Sequence, residues 1–324
     1  MNRCLRAEQA QLAELERTEG VSMDELYNGL FNKTIEKAVQ DAAGGSWTIE
    51  EVVKNGSMAM HPAILCKGKH QNVFVKAGSF SYSYEQFQKE AAGLRYISEH
   101  SQAATPEIYG VVKQGDTTLL IMEAVPVKPV ETKQDWEVLG RGLAILHKTV
   151  GEKAGFQEDN YLGILPQPND YRNSWIDFYG DVRLRTMLER TIATGYLTEE
   201  EALPVYRLIE RLPELDIPPQ PFSLLHGDPW TGMEEPGNLL YDGKRLVMID
   251  CSIYYGNREI DLSTVDLFYP VHPWFFEAYH EEYPIAEGYE ERRELWRINQ
   301  KISFVALFGR RMIPQLYEAV NRYM

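Results

Sequence analysis

The alternation of apolar and polar positions predicts a strand-rich first part of the chain and a helix-rich second part. Gly44 and Gly45 end a charged, helix-prone opening stretch, and short apolar runs separated by turn residues follow. The predicted strands cover residues 47–53, 63–68, 72–77, 107–114 and 117–124. One helix interrupts them, and its apolar face carries Phe87, Ala91, Leu94 and Ile97.

The second part is predicted to be mostly helical, with one β-hairpin among the helices. The predicted helices cover residues 136–147, 175–194, 199–211 and 290–324. The hairpin is "LLYDGKRLVMID", in which Asp242-Gly243 is a strong turn signal between two apolar runs. A doubly wound sheet would alternate strands and helices throughout, so we expect an α+β fold of two lobes. The expected domains are a helical extension (1–43), an N-lobe with a small antiparallel sheet and one main helix (44–125), and a larger helical C-lobe (126–324).

Charge and cysteine content narrow the possible partners. Lys and Arg number 33 against 48 Asp and Glu, a formal charge of −15, which disfavours nucleic acid and anionic membranes as partners. The acidic balance suits a cationic small substrate, although it is also typical of soluble proteins in general. Three unclustered cysteines indicate neither a disulfide framework nor a metal site, and neither a signal peptide nor an apolar run long enough for a membrane span is evident. We therefore expect a cytoplasmic protein, of an oligomeric state that the sequence leaves open.

The strongest chemical signal is His226-Gly227-Asp228, followed by Asn238 and then Asp250. Phosphoryl transfer needs a carboxylate that orients the attacking hydroxyl and oxygen ligands that hold Mg²⁺ against the triphosphate. Asp228 is suited to the first task, and the hairpin returns Asp250 towards Asn238 for the second. Alternatively, the three residues form an ordinary turn and Asp250 caps a helix.

A second signal is Lys76 at the end of the strand "VFVK", followed by Glu90 on the predicted helix. An inward-facing lysine neutralises the α- and β-phosphates of a nucleotide when an acidic partner holds its side chain. Glu90 lies one turn from Phe87, near the core-facing stripe. Each residue alone is more typical of a solvated surface, but the ordered pair favours a phosphate clamp.

Two weaker elements complete a nucleotide site. Residues 55–62, which include Ser57, lie between the first two strands, where a phosphate-covering loop belongs, but contain only one glycine. A plain hairpin turn is the alternative. Glu123 and Val125 lie where a hinge between the lobes would meet adenine, and a simple linker is the alternative there. The P-loop, esterase and zinc motifs are not found in the sequence.

The sequence resembles the fructosamine kinase (ketosamine kinase) family, relatives of the aminoglycoside and choline phosphotransferases with a protein-kinase-like fold. The resemblance is carried by "LLHGDPWTG", "GNLLYD" and "LVMIDCSIYYGNREIDL", with support from "FVKAG", "FQKEAAGLRYI" and "DNYLGILPQPNDYRNSWIDFYGDVRL". It covers roughly residues 45–324. It implies ATP-dependent phosphorylation of a sugar hydroxyl on a ketosamine, a small amino-sugar or glycated-amine substrate. By matched position, Asp228 is the base, Asn238 and Asp250 bind Mg²⁺, and Lys76 with Glu90 clamps the phosphates.

The resemblance also suggests substrate contacts and structural roles. The candidate substrate contacts are Trp230, Tyr255, Asn257, Glu259, Trp175 and Asp177. Core packing is an equal alternative for Trp230 and the favoured one for Trp175. Asp261 is predicted to be the N-cap of a helix starting at Leu262. Independently of the resemblance, the position of His147 near the end of an apolar-faced helix favours a core or capping histidine over a catalytic one.

The chain departs from the family pattern H-G-D-x-W-x-G-N mainly by an insertion. Asn238 stands ten residues after Asp228, five more than in that pattern; Pro229, Cys251 and Asn257 are single-residue departures. We expect the excess to loop outward between Gly232 and Gly237, which tolerate φ > 0, because a slightly longer loop costs well under about 1 kcal/mol. The inserted Glu234 and Glu235 either help bind a cationic acceptor or second metal, or are simply solvated.

Two other functions remain open at this point. In the first, the protein is a phosphotransferase whose acceptor is an aminoglycoside or another amino sugar. In the second, the protein is a nucleotide-binding pseudokinase with a regulatory role, which the insertion and the glycine-poor loop favour.

Overall fold

The structure is a computed structural model that describes residues 22–55, 61–232 and 236–324. Ser57, the first 21 residues of the predicted extension, and Met233, Glu234 and Glu235 of the insertion lie outside the described residues.

The N-lobe is built on a five-stranded antiparallel sheet with strand order β1-β2-β3-β5-β4. Its strands are β1 (Ile49–Asn55), β2 (Ala63–Gly68), β3 (Asn72–Gly78), β4 (Ile108–Gln114) and β5 (Thr117–Glu123). Alternate residues of β3 face opposite sides of the sheet. Val73, Val75 and Ala77 are buried in one apolar cluster, whereas Phe74 packs against another. Lys76 therefore lies on the Phe74 side of the sheet.

Helices cover both faces of this sheet. On the Phe74 side, α3 (Ser83–His100) buries the predicted stripe of Phe87, Ala91, Leu94 and Ile97. On the other side, α2 (Asn32–Ala43) packs Ile35, Ala38 and Val39 into the cluster that holds Val73 and Val75. A short helix, α1 (Met23–Tyr27), precedes α2 along the chain. The second half of the predicted extension is thus part of the N-lobe.

The C-lobe is mostly helical, as the sequence predicts. Its α-helices are α4 (Lys133–His147), α5 (Trp175–Asp177), α6 (Thr186–Ala193), α7 (Glu199–Arg211), α8 (Glu259–Thr264), α9 (Pro273–Glu282), α10 (Tyr289–Trp296), α11 (Ile298–Phe308) and α12 (Ile313–Val320). Short 3₁₀ turns occur at Leu212–Glu214, Arg310–Met312 and Asn321–Tyr323. The helix predicted at 175–194 consists of α5, a π-helical segment (Phe178–Arg185) and α6.

Short strands in the C-lobe carry the loops of the site. They are β6 (Val150–Gly151), β7 (Asn160–Leu162), β8 (Leu165–Gln167), β9 (Phe222–Leu225), β10 (Leu239–Tyr241), β11 (Leu246–Met248) and β12 (Tyr254–Gly256). They form the antiparallel pairs β7–β8 and β10–β11 and a three-stranded sheet in the order β12-β9-β6. The predicted hairpin β10–β11 is present, and its turn is held by the Asp242 carboxylate, which accepts the N–H groups of Lys244 and Arg245.

The two lobes share one apolar core. The buried face of α3 packs in the same cluster as Leu239, Met248 and Ile253 of the C-lobe. This packing brings β3 and α3 against the segment that follows β11, so Lys76 and Asp250 meet at the junction. Within the described residues, no helix combines the length and apolar composition needed to cross a bilayer.

Candidate active site

The segment His226-Gly227-Asp228 leaves β9 in a fixed loop. Gly227 has φ 88°, and a Cβ at this position would lie 2.2 Å from the Ser252 carbonyl oxygen, so only glycine fits. The buried His226 ring donates from Nε2 to the Ile249 carbonyl (2.9 Å) and accepts the Asp228 N–H at Nδ1 (3.3 Å). Burial lowers the pKa of His226, which keeps the ring neutral and consistent with this pair of bonds.

Asp261 anchors the same loop from α8. Its Oδ2 accepts the His226 N–H at 2.7 Å and its Oδ1 accepts the Gly227 N–H at 3.1 Å. The predicted N-cap role for Asp261 is wrong, because α8 begins at Glu259 and Asp261 lies within the helix. His147 is a core histidine, as predicted: fully buried, it bonds Asp261 Oδ2 (3.1 Å) and the Tyr279 hydroxyl (2.7 Å).

The Asp228 carboxylate is held by two amides. Asn238 Nδ2 donates to Asp228 Oδ2 (3.1 Å) and to its backbone carbonyl (2.9 Å), and Gln300 Nε2 donates to Oδ1 (3.3 Å). Burial, followed by the nearby charges of Asp250 and Asp261, raises the pKa of Asp228 to about 8. A carboxylate of raised proton affinity is well suited to accept a proton from a hydroxyl group.

Gln300 is a residue of this site that the sequence analysis missed. It lies on α11, whose neighbouring positions Ile298, Ile302 and Val305 are all fully buried. Gln300 lies two residues from both Ile298 and Ile302, on the opposite side of the helix, and it is buried as well, so its amide needs a buried partner. A polar residue in so apolar a helix was the available signal, although it does not identify Asp228 as the partner.

The residues that follow the insertion are hydrogen-bonded to the loop that carries Asp228. The N–H groups of Asn238 and Leu239 donate to the Trp230 carbonyl (3.0 and 3.1 Å), and the Ile249 N–H donates to the Asn238 carbonyl (3.0 Å). Asn238 is thus hydrogen-bonded to Ile249, the residue that directly precedes Asp250. Because Nδ2 of Asn238 is engaged with Asp228, its Oδ1 is the side-chain atom suited to a further ligand.

Gly237, which follows the insertion, does not use the positive φ that a glycine tolerates. Gly237 is needed for a different reason: a Cβ there would lie 2.4 Å from the Trp230 carbonyl oxygen. Close backbone approach, rather than left-handed conformation, explains this glycine.

Asp250 lies at the junction of the lobes in an unusual conformation. It is the one non-glycine residue with positive φ in the described part of the chain, at 55°. Such backbone strain is concentrated at functional sites. Its side chain is 43% exposed, and Lys76 Nζ lies 2.9 Å from Oδ1. Burial alone would raise the pKa of Asp250, but the Lys76 cation lowers it overall.

Lys76 bridges two carboxylates. Its Nζ donates to Glu90 Oε2 (2.8 Å) and Oε1 (3.1 Å) in addition to Asp250. Burial alone would lower the pKa of Lys76, yet Asp250 and Glu90 raise it above its ordinary value. Burial also raises the pKa of Glu90 to about 7. The strand lysine and helix glutamate are thus paired, with the Lys76 cation directed at Asp250.

The predicted hinge follows β5. The Glu123 N–H donates to the Glu107 carbonyl (2.8 Å) and the Ala124 N–H to the Asn72 carbonyl (3.0 Å). Val125 comes next, in the connection that leads into the C-lobe.

Of the predicted substrate contacts, Trp230 stands two residues after Asp228, whereas Tyr255 and Asp177 belong to other elements. The partly buried Trp230 ring packs 5.3 Å from Phe268. Tyr255 lies in β12, with its hydroxyl 3.1 Å from that of Tyr96 on α3. Asp177 is exposed in α5, where its N–H bonds Ser174.

Three candidates from the same family stretches have structural roles. Glu259 is fully buried, accepting from Arg292 Nη2 (2.6 Å) and Trp296 Nε1 (2.8 Å), so it joins α8 to α10 and is not available to a substrate. The buried Asn257 accepts the Glu259 N–H through Oδ1 (3.0 Å). Trp175 is buried against Trp296 and its aromatic neighbours, which agrees with the core-packing interpretation.

The donor set at the junction suits a hard divalent cation. The Asp250 carboxylate and Asn238 Oδ1 offer oxygen atoms of the kind such a cation binds, and Asp250 is partly exposed, so the cation would have access to it. Among the described residues, no group of three or more His, Cys, Asp and Glu is arranged to hold a metal ion. Mg²⁺ is usually held by one or two protein oxygens, and substrate phosphates complete its coordination. The residues at the junction therefore fit that ion.

The fold and site together define the class of protein. A small antiparallel sheet with a buried lysine–glutamate pair lies against a helical lobe that presents H-G-D and a hairpin aspartate. This is the architecture of the protein-kinase-like phosphotransferases. Comparison with solved structures agrees: an aminoglycoside phosphotransferase, APH(4)-Ia, in a ternary complex with ADP and hygromycin B, has a TM-score of 0.56 at 13% identity, covering 89% of this chain and 98% of that one.

The chain belongs to the fructosamine kinase family, whose model matches residues 31–324. A probable ketoamine kinase of Vibrio parahaemolyticus is 27% identical over 293 residues, covering 90% of this chain and 98% of the relative. Two solved structures, each described as a "putative fructosamine-3-kinase", are similar in fold. The one from Haemophilus somnus has a TM-score of 0.79 at 25% identity, covering 92% of this chain and 99% of that one. The one from Thermobifida fusca has 0.76 at 28%, covering 90% and 98%.

The protein is therefore an enzyme of the phosphotransferase class, as predicted. The family match begins at residue 31, earlier than the expected start near Gly45, and so includes α2. This agrees with the packing of α2 on the N-lobe sheet.

Proposed function

We propose that this enzyme transfers the γ-phosphoryl group of ATP to a sugar hydroxyl of a ketosamine. The observation that carries the proposal is the bridge from Lys76 to both Glu90 and Asp250, with the Asp228–Asn238 pair beside the same hairpin. Phosphoryl transfer depends on positioned charges more than on covalent chemistry, and these side chains supply them.

Asp228 acts on the acceptor. Its carboxylate orients the attacking hydroxyl and takes its proton as the bond to phosphorus forms. The amides of Asn238 and Gln300 hold the carboxylate in one orientation, which limits the geometry that must be organised during the reaction.

Lys76 and the hinge bind the nucleotide. Lys76, kept cationic by Glu90, contacts the α- and β-phosphates. The backbone at Glu123 and Val125 hydrogen-bonds adenine where the chain passes between the lobes. Ser57 belongs to the loop that covers the phosphates.

Asp250 and Asn238 Oδ1 would hold Mg²⁺. When bound, the ion would neutralise charge on the phosphate oxygens. Asp250 pairs with Lys76 through Oδ1 and is partly exposed, so its carboxylate would also be accessible to the ion.

The names of the relatives support this acceptor class. The relative from Vibrio parahaemolyticus is named a probable ketoamine kinase, and the two structures of similar fold are described as putative fructosamine-3-kinases. A ketosamine is a small sugar carried on a basic nitrogen, which also suits a protein of formal charge −15.

The proposal is tested by a coupled ADP-release assay with Mg-ATP. The acceptor panel contains a fructosamine, a ribulosamine, an aminoglycoside and a simple amino sugar, and the phosphorylated product is identified by mass. We expect acceptor-dependent ADP release with the ketosamines. Release with the aminoglycoside alone would replace the acceptor class, and nucleotide binding without turnover of any acceptor would favour the pseudokinase alternative.

A further inference from the structure

A continuous row of aromatic side chains leads away from the catalytic loop. The rings of Trp230 and Phe268 are 5.3 Å apart, those of Phe268 and Phe304 5.5 Å, and those of Phe304 and Phe308 5.9 Å. We call these four residues the aromatic strip. Trp230 and Phe304 are partly buried, whereas Phe268 and Phe308 are 44% and 43% exposed.

The strip begins at the acceptor side of the proposed site. Gln300, which bonds Asp228, lies on α11 four residues before Phe304 and eight before Phe308. Residues at this spacing share one face of a helix, so the face that positions the carboxylate continues outward as aromatic surface. Trp230 joins the strip two residues after Asp228. A substrate whose hydroxyl reaches Asp228 has these rings available along the face of α11 for its remaining atoms.

Two carboxylates near the strip, among the residues that the structure describes, are paired with cations. Asp266 bonds Arg297 (2.6 Å) and Arg293, while Glu294 bonds Arg297 (2.7 Å) and Lys301 (3.3 Å). These two carboxylates are thus engaged with cations of the chain itself. The ring faces offer an attractive surface for a substrate, since aromatic faces bind apolar groups and organic cations.

We propose that the aromatic strip binds the nitrogen substituent of the ketosamine and selects apolar or aromatic substituents. This inference rests on the proposed function and names the part of the substrate that the sugar-binding residues do not contact. The secondary ammonium lies near Trp230 and Phe268, and its substituent extends over Phe304 and Phe308. The exposed rings gain buried apolar contact only when the substituent is large enough to reach them.

The test compares two substrates with the same sugar, N-methyl and N-benzyl 1-amino-1-deoxyfructose. For the wild-type enzyme we expect a higher kcat/KM with the benzyl compound. Phe268→Ala and Phe308→Ala should each lower kcat/KM for the benzyl compound about tenfold, mainly by raising KM, because they remove apolar contact area. The same variants should leave the methyl compound within about twofold, and Phe308→Tyr, which retains the ring, should keep the benzyl preference.

The control is Tyr27→Ala, which removes a similarly exposed aromatic ring (45%) from α1 of the N-lobe and should change neither substrate. Equal losses for both substrates would overturn the inference, as would a wild-type enzyme indifferent to the substituent. If the strip instead joins two copies of the chain, Phe308→Ala lowers the mass in sedimentation without changing selectivity, which also overturns it. Failure of the wild-type enzyme to phosphorylate either compound would refute the proposed function itself, and the inference with it.

Discussion

At the residue scale, Gly237 has the most demanding environment in the segment around the insertion. A Cβ there would lie 2.4 Å from the Trp230 carbonyl oxygen and 2.8 Å from the Thr231 carbonyl carbon. Both are backbone atoms, so a rotamer change cannot relieve the contact. The Trp230 carbonyl also accepts the Asn238 N–H, so a shift here moves the side chain that contacts Asp228.

We expect Gly237→Ala to lower kcat by about a hundredfold, since small misplacements of catalytic groups have effects of that size. The expected stability loss is about 1–3 kcal/mol. Steady-state kinetics and urea unfolding measure the two effects. Gly110→Ala is the matched control, because a Cβ there would make only ordinary contacts, the nearest at 3.5 Å. Wild-type kcat in the Gly237 variant would contradict the close approach.

His61 gives a pH-dependent contribution to stability. It is 4% exposed, its Nε2 bonds Gln86 Oε1 at 3.0 Å, and the rings of Phe80 and Phe87 pack against it. Burial, and then the Lys76 cation, lowers the pKa of His61 to about 4, against a smaller opposing effect of Asp250. The unfolded chain therefore binds a proton near pH 6.5 that the folded protein does not.

The contribution of His61 is fully present above pH 6.5 and is lost as the pH falls towards 4. When the pH is lowered from 7 to 5, we expect the loss of this contribution to reduce the free energy of unfolding by about 2 kcal/mol. Urea unfolding at the two pH values should show a smaller difference for His61→Gln, which cannot titrate. Identical pH dependence in the two proteins would show that His61 is not the group responsible.

At the element scale, the hairpin β7–β8 connects the N-lobe helix to the segment after Asp250. Gln86 Nε2 on α3 donates to the Gly163 carbonyl at 2.7 Å. In the same hairpin, Asn160 Nδ2 donates to the Ile253 carbonyl at 2.8 Å. The hairpin thus fixes α3, which carries Glu90, relative to Asp250.

Gln86→Ala should weaken the alignment of the Lys76–Glu90 pair with Asp250. The variant removes the bond to Gly163 and also the bond to His61. We expect KM for ATP to rise about tenfold, the size of effect that the loss of a buried hydrogen bond produces, while KM for the acceptor stays nearly constant. Lys89→Ala is the control. It removes the more exposed Lys89–Glu158 ion pair between the same helix and the segment before β7, and should have little effect. Equal effects of the two variants on KM for ATP would refute the positioning role.

At this scale, the sequence predicted the elements that depend on local pattern but not the roles of residues whose partners are distant in the chain. The strands of the N-lobe, α3 and the β10–β11 hairpin follow from local periodicity and turn residues, and all are present. The roles of Asp261 and Glu259 depend on partners far along the chain. Asp261 binds backbone groups 34 and 35 residues earlier, and Glu259 pairs with Arg292, 33 residues later. Local pattern carries no information about such partners.

At the scale of the whole molecule, the two lobes are joined by a common apolar core and by the Lys76–Asp250 contact. The two-lobed fold followed from the order of elements along the chain, and the family from the H-G-D and hairpin motifs. The position of α2 on the N-lobe sheet could not be predicted from the sequence. Its amphipathic pattern predicts a helix but does not identify the sheet that covers its apolar face. Gln300 was missed for the same reason, since α11 meets the catalytic loop only after the C-lobe has folded.

The central claim is that the residues on either side of the insertion form one working phosphoryl-transfer site. Transfer of phosphate from Mg-ATP to a fructosamine by the wild-type enzyme and by Asp228→Asn tests it most directly, because the variant keeps the shape of the side chain but removes the base. We predict acceptor phosphorylation by the wild type, a decrease in kcat of about 10²–10⁴-fold in the variant, and a nearly unchanged KM for ATP. Equal turnover by both proteins, or none by the wild type, would contradict the claim.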